Sequence, residues 1–140
     1  MIILDTNVVS ELMKPAPATV VVRWVDAQPS ASLYTTAVTQ AEILCGVALL
    51  PNGRRRESVA AAARTMFEAE FVECVLVFDG GAARAYAEIA SARRRSGRPI
   101  ATLDAQIAAI ARSVGATLAT RNVDDFEGCG VDVVDPWRAR

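Results

Sequence analysis

At 140 residues the chain has the length of one domain, and with 52% hydrophobic and 22% charged residues it can bury a sizeable core rather than stay disordered. Fifteen basic against sixteen acidic side chains leave a net charge of -1, so the overall balance gives no sign of a nucleic-acid binder. There is no histidine, which excludes Ser-His-Asp and Cys-His nucleophilic sites, His-ligated zinc and imidazole acid–base catalysis, and leaves hydrolytic chemistry to carboxylates with a metal.

In chain order, Ile2-Ile3-Leu4 reads as a buried strand closed by Asp5-Thr6-Asn7. A short helix follows over Val8–Met13, and Pro15 and Pro17 break it. Thr19 is placed to cap a second helix that runs through Trp24-Val25. Leu33-Tyr34-Thr35-Thr36 is a second strand, Thr39–Leu50 a helix, and Pro51-Asn52-Gly53 a turn. Arg54–Ala69 reads as a long helix with Val59, Ala63, Met66 and Phe67 on one face. Val75-Leu76-Val77-Phe78 is a third strand, and Asp79 caps a helix to about Ser96 with Gly97 in the C′ place. A helix over Leu103–Val114 stops at Gly115; Thr117–Thr120 and Val131–Val134 are the fourth and fifth strands. No repeat or linker interrupts the chain, so residues 1–140 are expected to form one domain. Strand–helix alternation with near-continuous apolar strands predicts a central parallel sheet of about five strands, flanked by helices on both faces.

Cys45, Cys74 and Cys129 are odd in number and far apart, which excludes a disulfide scaffold or an all-cysteine zinc site; they read as small buried hydrophobes in a reducing compartment. No apolar run reaches the ~20 residues of a membrane span. Met-Ile-Ile-Leu-Asp has no basic leader, so the cytoplasm is the expected location.

Ligands in such folds bind beyond the carboxyl ends of the strands. Asp5 follows the first strand, Glu42 lies in the first turn after the second, Asp104 opens the helix before the fourth, and Asp124 and Asp125 follow the fourth. Each has a plain structural explanation. Asp5 can cap a helix. Thr39-Gln40-Ala41-Glu42 matches the S/T-x-x-E capping box. Asp104 suits the positive end of its helix, and Asp124 or Asp125 suits a loop. Together they form a stronger pattern. Right-handed crossovers bring strand ends to one rim, where carboxylates repel by ~4 kcal/mol per pair at 4 Å and an effective dielectric of 20. A divalent cation offsets that repulsion. Oxygen ligands without His or Cys favour Mg²⁺, with Mn²⁺ as a substitute. Such an ion can activate water and neutralise charge on a phosphorane oxygen, which points to phosphodiester hydrolysis. No phosphate-binding glycine loop competes: Gly80-Gly81 and Gly128-Cys129-Gly130 read as turns.

Four segments carry a resemblance. They are Ile2-Ile3-Leu4-Asp5-Thr6-Asn7-Val8-Val9-Ser10-Glu11, Thr39-Gln40-Ala41-Glu42-Ile43-Leu44-Cys45-Gly46-Val47, Ile100-Ala101-Thr102-Leu103-Asp104-Ala105-Gln106-Ile107-Ala108-Ala109 and Ala119-Thr120-Arg121-Asn122-Val123-Asp124-Asp125-Phe126, with the tail Val134-Asp135-Pro136-Trp137. In this order and spacing the chain resembles the PIN-domain ribonucleases, specifically the VapC-like toxins of type II toxin–antitoxin systems and their FitB-like branch. The resemblance implies a PIN-like α/β fold and a Mg²⁺-dependent endoribonuclease that acts on cellular RNA as a toxin. It also implies a homodimer, neutralised by a VapB-like antitoxin through which the complex would bind operator DNA. Carried over, Asp5 and Asp104 become the principal metal ligands, and Glu42 the third acidic position, directly or through water. The family's fourth acidic position falls on Asn122, which has a carbonyl oxygen but no charge. Asp125 or Asp124 is the substitute, and a second ion is less secure than the first. Thr6, Asn7 and Thr120 are supporting residues that could orient ligands.

Arg54-Arg55-Arg56 and Arg93-Arg94-Arg95 with Arg98 are either solvated faces or a phosphate rail for RNA. Arg121, next to the acidic loop, is the best single RNA-binding candidate. Trp24, Trp137, Tyr34, Tyr86 and Phe67 fit core or interface better than a base-stacking platform. Two other classes stay open. A receiver-type phosphoryl-transfer pocket would want a lysine, and the chain has only Lys14. A PIN-fold binding or regulatory module would keep the fold with little or no nuclease activity.

Overall fold

In the computed structural model, which describes residues 1–139, five short strands form one parallel sheet. They are β1 (Ile2–Leu4), β2 (Leu33–Thr36), β3 (Val75–Leu76), β4 (Thr117–Ala119) and β5 (Val133–Val134), in the spatial order β3-β2-β1-β4-β5. Helices α1 (Thr6–Leu12) and α2 (Thr19–Asp26) join β1 to β2. Helices α3 (Ala37–Leu49) and α4 (Arg54–Thr65) lead to β3, and α5 (Gly80–Arg95) and α6 (Thr102–Val114) carry the chain to the far side of β1. The strand order therefore reverses at the β1/β4 junction, the place beyond whose carboxyl strand ends ligands bind in open α/β sheets.

The period of two along each strand makes this a covered sheet. Ile3 and Leu118 pack with Ile89, Ile107 and Phe126 on one face. Their neighbours Leu4 and Ala119 pack with Val8, Val9, Val21, Ile43 and Phe67 on the other. Adjacent residues of one strand thus enter opposite cores, so the central strands must be apolar at every position.

Several elements differ from their sequence reading for visible reasons. Helix α3 begins at Ala37, two residues earlier than expected, because Thr36 at the end of β2 is its N-cap: its hydroxyl accepts the amide of Thr39 at 3.0 Å. Thr19 is the first residue of α2, and Ala18 stands in the cap position without a side-chain bond. The long helix from Arg54 gives way after Thr65 to a π-helical turn, Met66–Glu70, closed by the Phe71 amide on the Met66 carbonyl at 2.8 Å. That wider turn keeps Met66, Phe67 and Phe71 all buried. Strand β3 lies at the sheet edge and stops at Leu76, leaving Val77 and Phe78 exposed. Cys45 is exposed on the outer side of α3, against the expectation of a buried thiol; Cys129 is buried and Cys74 half-buried.

Candidate active site

Asp5 directly follows β1 and is both cap and rim residue. Its Oδ1 accepts the Thr6 amide at 2.8 Å and its Oδ2 accepts the Thr120 hydroxyl at 2.7 Å. The second bond joins the ends of β1 and β4 across the switch point. The Asp5 amide also donates to the Ala119 carbonyl at 2.9 Å, which fixes its backbone against β4. Only 4% of Asp5 is exposed. Burial pushes its carboxyl above the ordinary value; the bonds from Thr120 and Thr6 pull it back, and the charges of Glu42 and Asp125 add to the rise.

Glu42 reaches the same place from α3. The earlier start of that helix puts Thr39 inside the first turn, so Thr39 and Glu42 do not form the capping box that their spacing suggested. Instead the Thr6 hydroxyl donates to Glu42 Oε1 at 2.9 Å and lies 3.0 Å from the Thr39 hydroxyl. The carboxylate is thus aimed at the end of β1 rather than at its own helix.

Asp104 stands in the first turn of α6 and is half-buried. Burial raises its carboxyl first, then the charges of Asp5 and Asp125. The charges of Glu42 and Asp125 thus bear on Asp5, and those of Asp5 and Asp125 on Asp104. Asp125 belongs to a 3-10 turn, Val123–Phe126, and it, rather than Asp124, acts on Asp5 and Asp104. Asn122 is exposed, and its amide donates to the Thr120 hydroxyl at 3.1 Å. The Asn7 amide group donates to the same hydroxyl at 3.1 Å, and Asn7 Oδ1 accepts the Arg121 amide at 3.2 Å. Thr6, Asn7 and Thr120 thus brace the rim as a connected network. Beside it a cleft of about 430 Å³ is lined by Arg121, Asn122, Val123, Asp124, Asp125, Asp135 and Arg138. A roughly equal apolar cavity of about 500 Å³ is lined by Leu12, Met13, Val25, Met66 and Phe71 and includes none of the four acids.

The donor set fits a hard divalent cation in chemistry. It offers carboxylate oxygens with no imidazole in the chain, and burial and mutual repulsion hold two of the acids above their ordinary pKa. Among the described residues no three acidic or thiol side chains stand close enough to form a finished cation cage. Mg²⁺ asks for less, since it keeps several waters and takes one or two carboxylates directly.

The basic residues divide. The guanidinium of Arg121 is exposed and lies 4.9 Å from the centre of the Trp137 ring. Arg93 does not belong to a solvated face or a phosphate rail: it is buried, with its guanidinium on main-chain carbonyls. The register of α5 could have found it, because Ala82, Ala85, Ile89 and Arg93 recur at helical spacing. Lys14 is paired with Glu11 at 3.0 Å, which removes the lysine that a receiver-type pocket would use. Thr36 and Thr39 were missed as site supports; the signal was a threonine closing β2 and a second one in the helix after it, six and three residues before an acid.

Residues 2–128 match the model of the PIN domain family. The chain is 42% identical to the plasmid stability protein StbB of Pseudomonas syringae pv. tomato, over 99% of this chain and all of that one. It is 40% identical to a VapC ribonuclease of Sinorhizobium fredii over 98% of each chain. It is 39% identical to the toxin FitB of Neisseria gonorrhoeae over 98% of this chain and 99% of that one. Among solved structures, FitAB bound to a DNA fragment superposes with a TM-score of 0.91 at 38% identity, covering 100% of this chain and 98% of that one. Family model, full-length relatives and fold agree with one another, and the chain belongs to the PIN domain family.

Proposed function

We propose that this protein is the toxin of a toxin–antitoxin pair: a Mg²⁺-dependent endoribonuclease, one PIN domain over residues 1–140, that hydrolyses RNA phosphodiester bonds with water as nucleophile. The observation that carries the reading is the buried Asp5 carboxylate at the switch point of the sheet, held by the Thr6 amide and the Thr120 hydroxyl, with Glu42 held beside it by the Thr6 hydroxyl. The relatives support it, because one is a VapC ribonuclease and another is the toxin FitB.

Asp5 and Asp104 would hold the ion, with Glu42 as the third acid and Asp125 as the fourth. When bound, Mg²⁺, or Mn²⁺ in its place, supplies Lewis acidity toward a phosphate oxygen and lowers the pKa of water beside it. The chain's own groups do the rest. Thr120 and the Thr6 amide hold the Asp5 carboxylate in one orientation, and the Thr6 hydroxyl does the same for Glu42. Asn7 and Asn122 hold Thr120 in turn. Arg121, exposed beside Asn122, supplies a phosphate contact for RNA.

The partner of such a toxin is a cognate VapB-like antitoxin, and FitAB bound to DNA is the precedent for a complex that also binds DNA. We place the protein in the cytoplasm as a homodimer. Among the described residues no helix is long and apolar enough to cross a membrane.

The test is cleavage of single-stranded RNA by wild type, Asp5→Ala and Asp104→Ala, each with and without Mg²⁺. Wild type should cut only with the ion, and both variants should lose at least 100-fold in rate. Equal background in all samples would leave a binding module and end the nuclease reading.

A further inference from the structure

Helix α5 turns one charged side chain inward. Arg93 lies one turn beyond Ile89 on the face that buries Ala82 and Ala85, and only 8% of it is exposed. None of the ion pairs among the described residues includes it. Its Nε donates to the Arg98 carbonyl at 2.7 Å. Its Nη1 donates to the carbonyls of Asp125 and Glu127, each at 2.9 Å, and lies 3.6 Å from Cys129 Sγ. A buried guanidinium without a counter-ion carries a desolvation cost that an apolar side chain of the same length would not. What an apolar chain cannot do is hold the Asp125 and Glu127 carbonyls from one nitrogen while a second nitrogen of the same rigid plane holds the Arg98 carbonyl.

Those carbonyls flank Phe126, which is 2% exposed and anchors the turn in the core. Upstream, the Asp125 amide donates to the Asn122 carbonyl at 3.1 Å. The main chain of Asp125 is therefore tied at its amide, its carbonyl and the next side chain. Asn122 is tied in turn to the rim, since its amide donates to the Thr120 hydroxyl, which donates to Asp5, and the negative charge of Asp125 raises the carboxyls of Asp5 and Asp104. On the exposed side the Arg98–Glu127 pair, 3.2 Å apart, ties the same two segments again.

We infer that Arg93 is a positioning residue: by holding the carbonyls of Asp125 and Glu127 it fixes where the fourth carboxylate of the rim stands, and so sets cation affinity and RNA cleavage without touching either. The inference rests on the nuclease reading of the rim. The competing possibility is that Arg93 only staples a loop and adds stability.

A double-mutant cycle separates the two. Binding of Mn²⁺ alone is followed by the electron paramagnetic resonance of the free ion, and RNA cleavage by kcat and KM. Arg93→Met should weaken Mn²⁺ binding about tenfold or more, the usual loss when a group that orients a metal site is removed. It should lower kcat with KM for RNA little changed. Arg93→Lys, which keeps the charge but loses the fork, should fall between, and it carries the test if Arg93→Met does not fold. Asp125→Asn should show a loss of similar size. Combining Asp125→Asn with either Arg93 variant should weaken Mn²⁺ binding no further, while their separate effects on melting temperature, of whichever sign, add. Losses in Mn²⁺ affinity that add in the combined variants, or a folded Arg93 variant with wild-type affinity, overturn the assignment. A wild type that binds no Mn²⁺ at millimolar ion overturns the nuclease reading itself; intact wild-type binding and cleavage with additive losses removes only the role of Arg93.

Discussion

The Thr120 hydroxyl makes three hydrogen bonds at the rim: it donates to Asp5 and accepts from Asn7 and from the Asn122 amide. A hydroxyl has one proton and two lone pairs, so its capacity is filled. Thr120 is fully buried, and Thr120→Val keeps its shape while removing all three bonds. Leaving buried partners unpaired costs about 1–3 kcal/mol, to be read as a lower urea midpoint at unchanged slope. Cleavage should fall as well, because the Asp5 carboxylate loses the bond that orients it. A variant of wild-type stability would show that Thr120 is not the hub. Arg121 acts at the same scale but through solvent. Removing one phosphate contact to single-stranded RNA reduces the slope of log affinity against log salt by about 0.7. Arg121→Ala should therefore bind RNA more weakly and with a flatter salt dependence; an unchanged slope would assign Arg121 to its stack on Trp137 alone.

Helix α3 shows how one capping residue sets a functional side chain. With Thr36 as the cap, Glu42 lies beyond the capping position and is free to take the Thr6 hydroxyl. Thr36→Ala removes the acceptor of the Thr39 amide in a buried place, for a loss of about 1 kcal/mol. Thermal melts should show the drop; no change would mean that α3 starts without help from Thr36. The S/T-x-x-E pattern at Thr39 misled because the strand runs on through Thr35 and Thr36, paired with Val75 and Leu76 of β3, so that Thr36 and not Thr39 stands at the helix start. The strands themselves were legible. Ile2–Leu4 and Thr117–Ala119 are unbroken apolar or β-branched runs, and acids follow them. Arg93 was misread because a run of three arginines looks like a solvated patch, although register alone places the first of them with Ile89. Cys45 was misread because its apolar neighbours Leu44 and Leu49 are themselves exposed. The order β3-β2-β1-β4-β5 was not legible at all, since nothing local in a strand states its neighbour.

That order has an energetic consequence for the whole molecule. By setting β4 beside β1, it brings acids from distant parts of the chain into one field, and the folded state bears their repulsion. Asp5 and Asp104 are both raised above their ordinary value of 3.8. A carboxyl with a raised folded pKa binds more protons folded than unfolded between the two values, so stability falls as pH rises through that window and levels off above it. Glu11 has the opposite sign. The Ala18 amide and Lys14 lower its carboxyl, so its contribution is present above about 4.5 and is lost as pH falls through its lowered value. A wild-type pH profile mixes the two, and Asp104→Asn separates them. Without metal, that variant should melt higher than wild type at pH 7, and its stability should fall less between pH 4 and 7. Mg²⁺ should act on wild type in the reverse sense. At 100 times its Kd a cation that binds only the folded state adds about 2.7 kcal/mol, a rise in Tm of roughly 5–10 °C for a domain of this size. The rise should be smaller in Asp104→Asn, which has lost both a ligand and part of the repulsion that the ion relieves. Calorimetry of both proteins across this pH range, with and without millimolar Mg²⁺, measures all of these differences. Superimposable pH profiles for wild type and Asp104→Asn would show that the four acids do not share a field strong enough to select an ion.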